Sequence, residues 1–142
     1  MTSPVSSDLL TTRVQGVLDV PLHRFLGMRL RDPERPQDGL VIPVGDAAIN
    51  NAGVLHGGVA TAVLDVACYL ALLPHLSAEE NAVTHDASSS LMKAVARDAE
   101  LEVVADVVRR GRSLAFLQAQ ALVDGRPVAL GKVTKSILRA EV

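Results

Sequence analysis

Tryptophan is absent from this 142-residue chain, which has one tyrosine and two phenylalanines, so its core must be built from aliphatic side chains. A second cysteine is also lacking. Cys68 therefore cannot form an intrachain disulfide, and it reads as a small buried hydrophobe. Neither sign of charge dominates: 14 Lys and Arg stand against 16 Asp and Glu, a net charge of −2. The basic residues are scattered, which removes the basic face that a nucleic-acid partner requires. The opening residues Met1–Ser7 show no charged segment followed by an apolar run, so no export signal is expected and the expected location is cytoplasmic. His23 has no second ligand at metal spacing, so no metal site is expected.

What the sequence does have is a long apolar stretch. From Val59 to Leu73 every residue is apolar or small except Thr61, the Tyr69 hydroxyl and one carboxylate, Asp65. A helix that is apolar all round is a buried helix. An Asp in its middle is unfavourable by propensity and by burial unless it is paired, hydrogen-bonded or protonated, which points to a role beyond folding. A membrane span is the competing reading, since about 20 apolar residues suffice for one. Asp65 near the centre, His56-Gly57-Gly58 at one end and the lack of a basic flank speak against it, and no membrane partner is expected.

The remainder divides at its turn signals. Leu10, Val14, Val17 and Leu18 recur at helical spacing and predict a short amphipathic helix over residues 8–19, with one further turn from Pro21 to Gly27. Strands are predicted at Met28–Leu30 and Leu40–Val44, with Pro43 marking an edge or an irregularity. A loop over residues 45–55 leads to the long helix, which Pro74 ends. Four strand-like runs follow: Ala82–Leu91, Glu100–Val107, Leu114–Val123 and Pro127–Leu138, the last two joined by the hairpin signal Asp124-Gly125. A turn is expected at Arg109–Arg112. Strands joined by tight turns are antiparallel. The expected fold is α+β: a curved antiparallel sheet of about six strands wrapped around one long central helix. One sheet of this size cannot hide the whole helix, which argues for a dimer.

Asn50-Asn51-Ala52-Gly53-Val54-Leu55-His56-Gly57-Gly58, followed by Leu64-Asp65, is similar to the signature of hotdog-fold acyl-CoA thioesterases. The branch it most resembles is the PaaI-like and thioesterase superfamily member 2-like group. The resemblance runs from about Leu22 to Arg139, and implies a single hotdog thioesterase domain over residues 1–142, with 1–26 as a helical lead-in. It also implies hydrolysis of a coenzyme A thioester to free acid and CoA, with no separate cofactor.

The residue types suit that chemistry. Backbone N–H groups at a helix start lack intrahelical partners, and one from Gly57 can polarise a thioester carbonyl. Asp65 is then the nucleophile or the general base that activates water. Eight residues separate the two, about 12 Å along one helix at 1.5 Å per residue. A reacting carbonyl sits about 3 Å from both its donor and its attacker. One helix cannot serve both, so the expected site is shared across a homodimer, with homotetramers common among relatives.

By resemblance, Asn50 lies near the thioester and holds substrate or water, and His56 orients the loop and contacts the carbonyl region. Thr84 assists Asp65 or the water. Gly58 lets the substrate approach, and Arg112, Ser113 and Lys135 grip the nucleotide end of CoA, whose phosphates suit cationic side chains. Structural alternatives stand beside each: Asn50 fixing a turn, His56 bonding the loop backbone, Thr84 as an ordinary strand residue, Arg112 and Lys135 as solvated charges. Val59, Val63, Tyr69 and Leu91 are candidates to line the acyl pocket, and few aromatics favour aliphatic or compact acyl groups. Relatives usually carry Pro and Gly after the third strand, where this chain has Met92–Ala99, which bears on CoA docking. Two other functions fit the fold: a non-catalytic acyl-CoA binding or sensing module, and a hydratase or dehydratase.

Overall fold

The computed structural model describes residues 5–140. Two short helices lead in: α1 (Ser7–Leu18), capped by the Ser6 side chain, and α2 (Pro21–Phe25), which ends at Gly27 with φ 71°. Strands β1 (Arg29–Leu30) and β2 (Leu40–Pro43) precede the long helix α3 (Gly57–Leu72). Strands β3 (Glu80–Leu91), β4 (Glu100–Arg110), β5 (Leu114–Val123) and β6 (Arg126–Arg139) complete the chain. They form one antiparallel sheet in the order β1-β2-β4-β5-β6-β3, with α3 packed against it. This is the expected six-strand sheet around one helix.

Boundaries differ where side-chain pattern is a poor guide. β3 starts at Glu80 rather than Ala82, and β4 runs through Arg110, so Arg109 and Arg110 are ladder residues, not turn residues. A register shift between Val107 and Arg109 lets the strand continue past the end of its alternation. Pro43 pairs with Glu100 of β4, while β1 pairs only with Leu40 and Val41. Its missing N–H therefore costs the sheet nothing on the open side. Asp124 and Gly125 both have positive φ, 51° and 76°, which matches the twist of the two-residue hairpin joining Val123 to Arg126.

The core is the inner face of the sheet closed over α3. Val63, Leu64, Leu70, Leu72, Ile42, Leu101 and Val103 are at most 1% exposed. Gly131 of β6 brings sheet and helix close, since a Cβ there would stand 3.2 Å from Leu64 Cδ1. By length and composition Gly57–His75 could cross a membrane, but here its apolar side chains pack in the protein core. Cys68 is wholly buried, and burial pushes its thiol up to about 12, which suits a packing role in the core.

Two features prepare the site. The face of α3 carrying Gly58, Thr61, Ala62, Asp65 and Tyr69 is not fully covered by the sheet. β3 is an edge strand whose residues from Val83 to Ser88 are all exposed. The lead-in is fastened through Arg13 of α1, whose guanidinium donates to the carbonyls of Ser77, Ala78 and Glu80. Glu80 is itself 2% exposed, and Arg110 and Arg139 pair with it. Burial pushes its carboxyl up, but the Ser77 backbone N–H and the Arg110 guanidinium outweigh burial and hold it below the usual carboxylate range.

Candidate active site

The loop before α3 is built from its own polar groups. Asn50 Oδ1 accepts from the backbone N–H groups of Ala52 (2.9 Å) and Val54 (3.2 Å), so the carbonyl half of the amide fixes the turn. The loop and Val44, just past the end of β2, also pair with the Met92–Ala99 segment. Leu55 N–H donates to the Val95 carbonyl, Asp98 N–H to the Val44 carbonyl, and Arg97 pairs with Asp46. Met92–Ala99 thus braces the helix entrance.

His56 is the N-cap of α3, and its Nδ1 accepts from the Gly58 N–H at 2.9 Å. A ring nitrogen that accepts carries no proton, so the donor of this imidazole is Nε2–H. Gly58 is required by this cap: a Cβ there would lie 2.9 Å from His56 Cε1 and 3.0 Å from Nδ1. The cap is selective. The Ala60 N–H returns to the His56 carbonyl, and the Gly57 N–H has no partner among the described residues. A free N–H at a helix start is a ready donor to an oxyanion.

Asp65 lies two turns further along α3. Thr84 Oγ1 donates to its carboxylate, 2.9 Å from Oδ1 and 2.8 Å from Oδ2. Lys135 Nζ lies 2.7 Å from Oδ1 and 2.9 Å from Thr84 Oγ1. Thr84 and Lys135 are directly paired residues of β3 and β6, beside the register shift between Thr84 and Asp86. The sheet therefore presents a hydroxyl and an ammonium together to one helical acid. The Lys135 side chain is 4% exposed and that of Asp65 29%. Lys135 occupies Oδ1, which leaves Oδ2 as the less encumbered oxygen. The ammonium also lies 5.6 Å from the Tyr69 ring centroid, a further favourable contact.

These placements bring Asp65 and Thr84 together and set Gly57, Gly58 and His56 two turns away, at the start of the same helix. Lys135 requires a correction: its ammonium is buried against Asp65, not presented to solvent where it could meet CoA phosphates. Arg112 and Ser113 are exposed in the β4–β5 turn and take no part in the Asp65 cluster. Ser113 holds that turn through its carbonyl, which accepts from Ile137 N–H. Residue spacing also gave no notice of the Thr61–Ser89 hydroxyl pair at 2.6 Å, which links α3 to β3.

The family model of the thioesterase superfamily matches residues 52–132, more than half of the chain, including His56, Gly57, Asp65 and Thr84. No curated protein matches the sequence. Among solved structures, a thioesterase from Haemophilus influenzae superposes with a TM-score of 0.80 at 19% identity, covering 97% of this chain and 94% of its own. A thioesterase family protein from Silicibacter pomeroyi gives 0.79 at 25% identity, covering 92% and 99%. A Bacillus halodurans protein solved with CoA gives 0.76 at 19% identity, covering 94% and 93%. The shared architecture is the hotdog fold, and the match across the helix entrance, Asp65 and Thr84 joins it to a family: the chain belongs to the thioesterase superfamily and is a thioester hydrolase.

Proposed function

We propose that the chain, acting as one hotdog domain over residues 1–142, hydrolyses acyl-CoA thioesters to a free acid and CoA. The observation that carries this reading is the Asp65 carboxylate, clamped by Thr84 and Lys135 on the half-open face of α3, with Oδ2 paired to no cation among the described residues. A coenzyme A ligand is supported by the Bacillus halodurans and Streptococcus pneumoniae structures, which hold CoA on this fold.

Asp65 attacks the thioester carbon directly, or takes a proton from the water that does. In either case the carbonyl oxygen gains negative charge, the carbon–sulfur bond breaks and the CoA sulfur leaves as the thiol, taking the proton that Asp65 removed from water or, on direct attack, one from solvent. The acyl–Asp65 anhydride of the direct route is then opened by water to the free acid. The developing oxyanion needs a donor within about 3 Å, and the Gly57 N–H is open to it. Its own Asp65 lies about 12 Å away along the helix. The donor therefore comes from a second copy, and the site is shared in a homodimer with two such sites, the dimers free to pair into tetramers. The unpartnered β3 edge and the half-open face of α3 supply the surfaces for that pairing. His56 holds the helix entrance, Asn50 the loop before it, and Arg112 with Ser113 stands as the contact for CoA phosphates.

Thiol release from a panel of acyl-CoA esters tests the reaction. Asp65→Asn should lower turnover by about 10²- to 10⁴-fold, and wild-type turnover in that variant would falsify its role. Hydrolysis in ¹⁸O water under single turnover tests the nucleophilic role, because water that opens the anhydride at the aspartyl carbonyl leaves the label in Asp65, which the general-base route never does. A second reading, a non-catalytic acyl-CoA binding module, draws on the Lys135 pair, since an acid held by a lysine also serves structure alone. Stoichiometric acyl-CoA binding without hydrolysis would establish it.

A further inference from the structure

A cavity of about 460 Å³ opens beside Asp65, between α3 and the lead-in helices. Its size lies within the range of small-molecule sites. Asp65, Tyr69 and Lys135 line one side, and Gly16, Val17 and His23 the other. Of the residues the sequence offered for an acyl pocket, Tyr69 lines this space and Val59, Val63 and Leu91 do not, because it is assembled from the lead-in and three later elements.

Gly16 is the informative residue. It lies inside α1, where glycine is the worst choice short of proline. Its φ is not in the left-handed region, so the backbone does not demand it. Close packing does not demand it either, because a Cβ at Gly16 would meet nothing within 4 Å. Gly16 is exposed at the rim of the cavity, and with no side chain it leaves the lead-in side of that rim open. In the rest of the wall, Val17 and Val20 of the lead-in and Val66 of α3 supply an apolar strip, with Arg13, His23 and Asn81 as the polar members. The reacting carboxylate stands at one side of the same cavity.

We propose that this cavity receives the acyl group of the thioester and that Gly16 is a specificity-determining residue that keeps it deep enough for chains longer than acetyl. The proposal rests on the hydrolase reading given above, with Asp65 at the reacting carbon. A two-carbon acyl group leaves most of the cavity to water, whereas a medium-length aliphatic chain displaces that water against the valines. Side chains grafted at residue 16 shorten the cavity from the lead-in side without touching Asp65, Thr84 or Lys135.

The test compares kcat/KM for acetyl-, hexanoyl- and decanoyl-CoA in the wild type, Gly16→Leu, Gly16→Phe and Gln15→Phe. Leucine is a better helix former than glycine, so Gly16→Leu preserves α1. The wild type should favour the longer esters, and the decanoyl-to-acetyl ratio should fall about tenfold or more in Gly16→Leu and further in Gly16→Phe. Gln15→Phe, a bulky change at an exposed position that does not line the cavity, should keep the wild-type ratio. An unchanged ratio in folded Gly16 variants, or an equal fall for all three esters, overturns the proposal. If the wild type cleaves none of the three, binding of non-hydrolysable thioether analogues decides this proposal, and the wider acyl-CoA panel decides the hydrolase reading. A tenfold selective loss of the decanoyl analogue in Gly16→Leu upholds the pocket, and equal binding refutes it.

Discussion

The claim that two copies build each site can be tested by deleting one backbone proton. Gly57 is the first residue of α3, the helix position at which proline is best tolerated, since its N–H has no intrahelical partner. Its neighbours accept the change. His56 has φ −69° and ψ 129°, the extended conformation a residue before proline prefers, and the nearest atom to a Cβ at Gly57 is Leu91 Cδ2 at 3.9 Å. Gly57→Pro therefore removes the proposed oxyanion donor while α3 and its His56 cap remain. Loss of one such donor lowers kcat by about 10²- to 10³-fold.

The decisive experiment mixes Gly57→Pro with Asp65→Asn. In a shared site each mixed dimer has one doubly defective site and one assembled from two unaltered halves. Unfolding and refolding the variants together at equal amounts makes half of the dimers mixed, so about one quarter of wild-type turnover should return. Thiol release before and after subunit exchange reads the recovery, and co-purification on two different tags isolates the mixed dimer, where half of wild-type activity is expected. Sites contained within one chain return none. A mixed dimer as inactive as its parents refutes the arrangement.

Two further predictions concern what holds the site and its lead-in in place. Removing one partner from a buried ion pair costs about 3–5 kcal/mol, and solvent access to Asp65 lowers that for Lys135→Met to about 1–3 kcal/mol. Asp65→Asn with Lys135→Met should be less destabilising than the sum of the single changes by about 1 kcal/mol or more, measured by urea unfolding at one protomer concentration. Strict additivity refutes the coupling. Glu80, whose carboxyl is held below the usual range, stabilises the fold above the unfolded carboxylate value near 4.3, and that contribution is lost as pH falls through the folded value. Glu80→Gln should be less stable than wild type at pH 7 and show a shallower decline between about pH 5 and 3, with parallel curves as the refuting result.

The fold was legible because its two periods are plain: an apolar run too long for a strand, then four runs broken by turns. Register was not, and the site depends on register. Thr84 and Lys135 stand opposite one another only once β3 pairs with β6, a pairing that skips two intervening strands. Yet one local signal was present. Along β6, Gly131, Val133, Lys135 and Ile137 alternate on the buried face, so the strand's own period places the lysine inward. Treating Lys135 as a surface cation ignored that phase in favour of its charge. An inward ammonium needs an anion, and the buried helix offers a single one, Asp65. Phase and charge together therefore join β6 to α3 without a structure. The cavity at Gly16 had no such signal, because a glycine in an amphipathic helix announces only a weak helix until the facing wall is known.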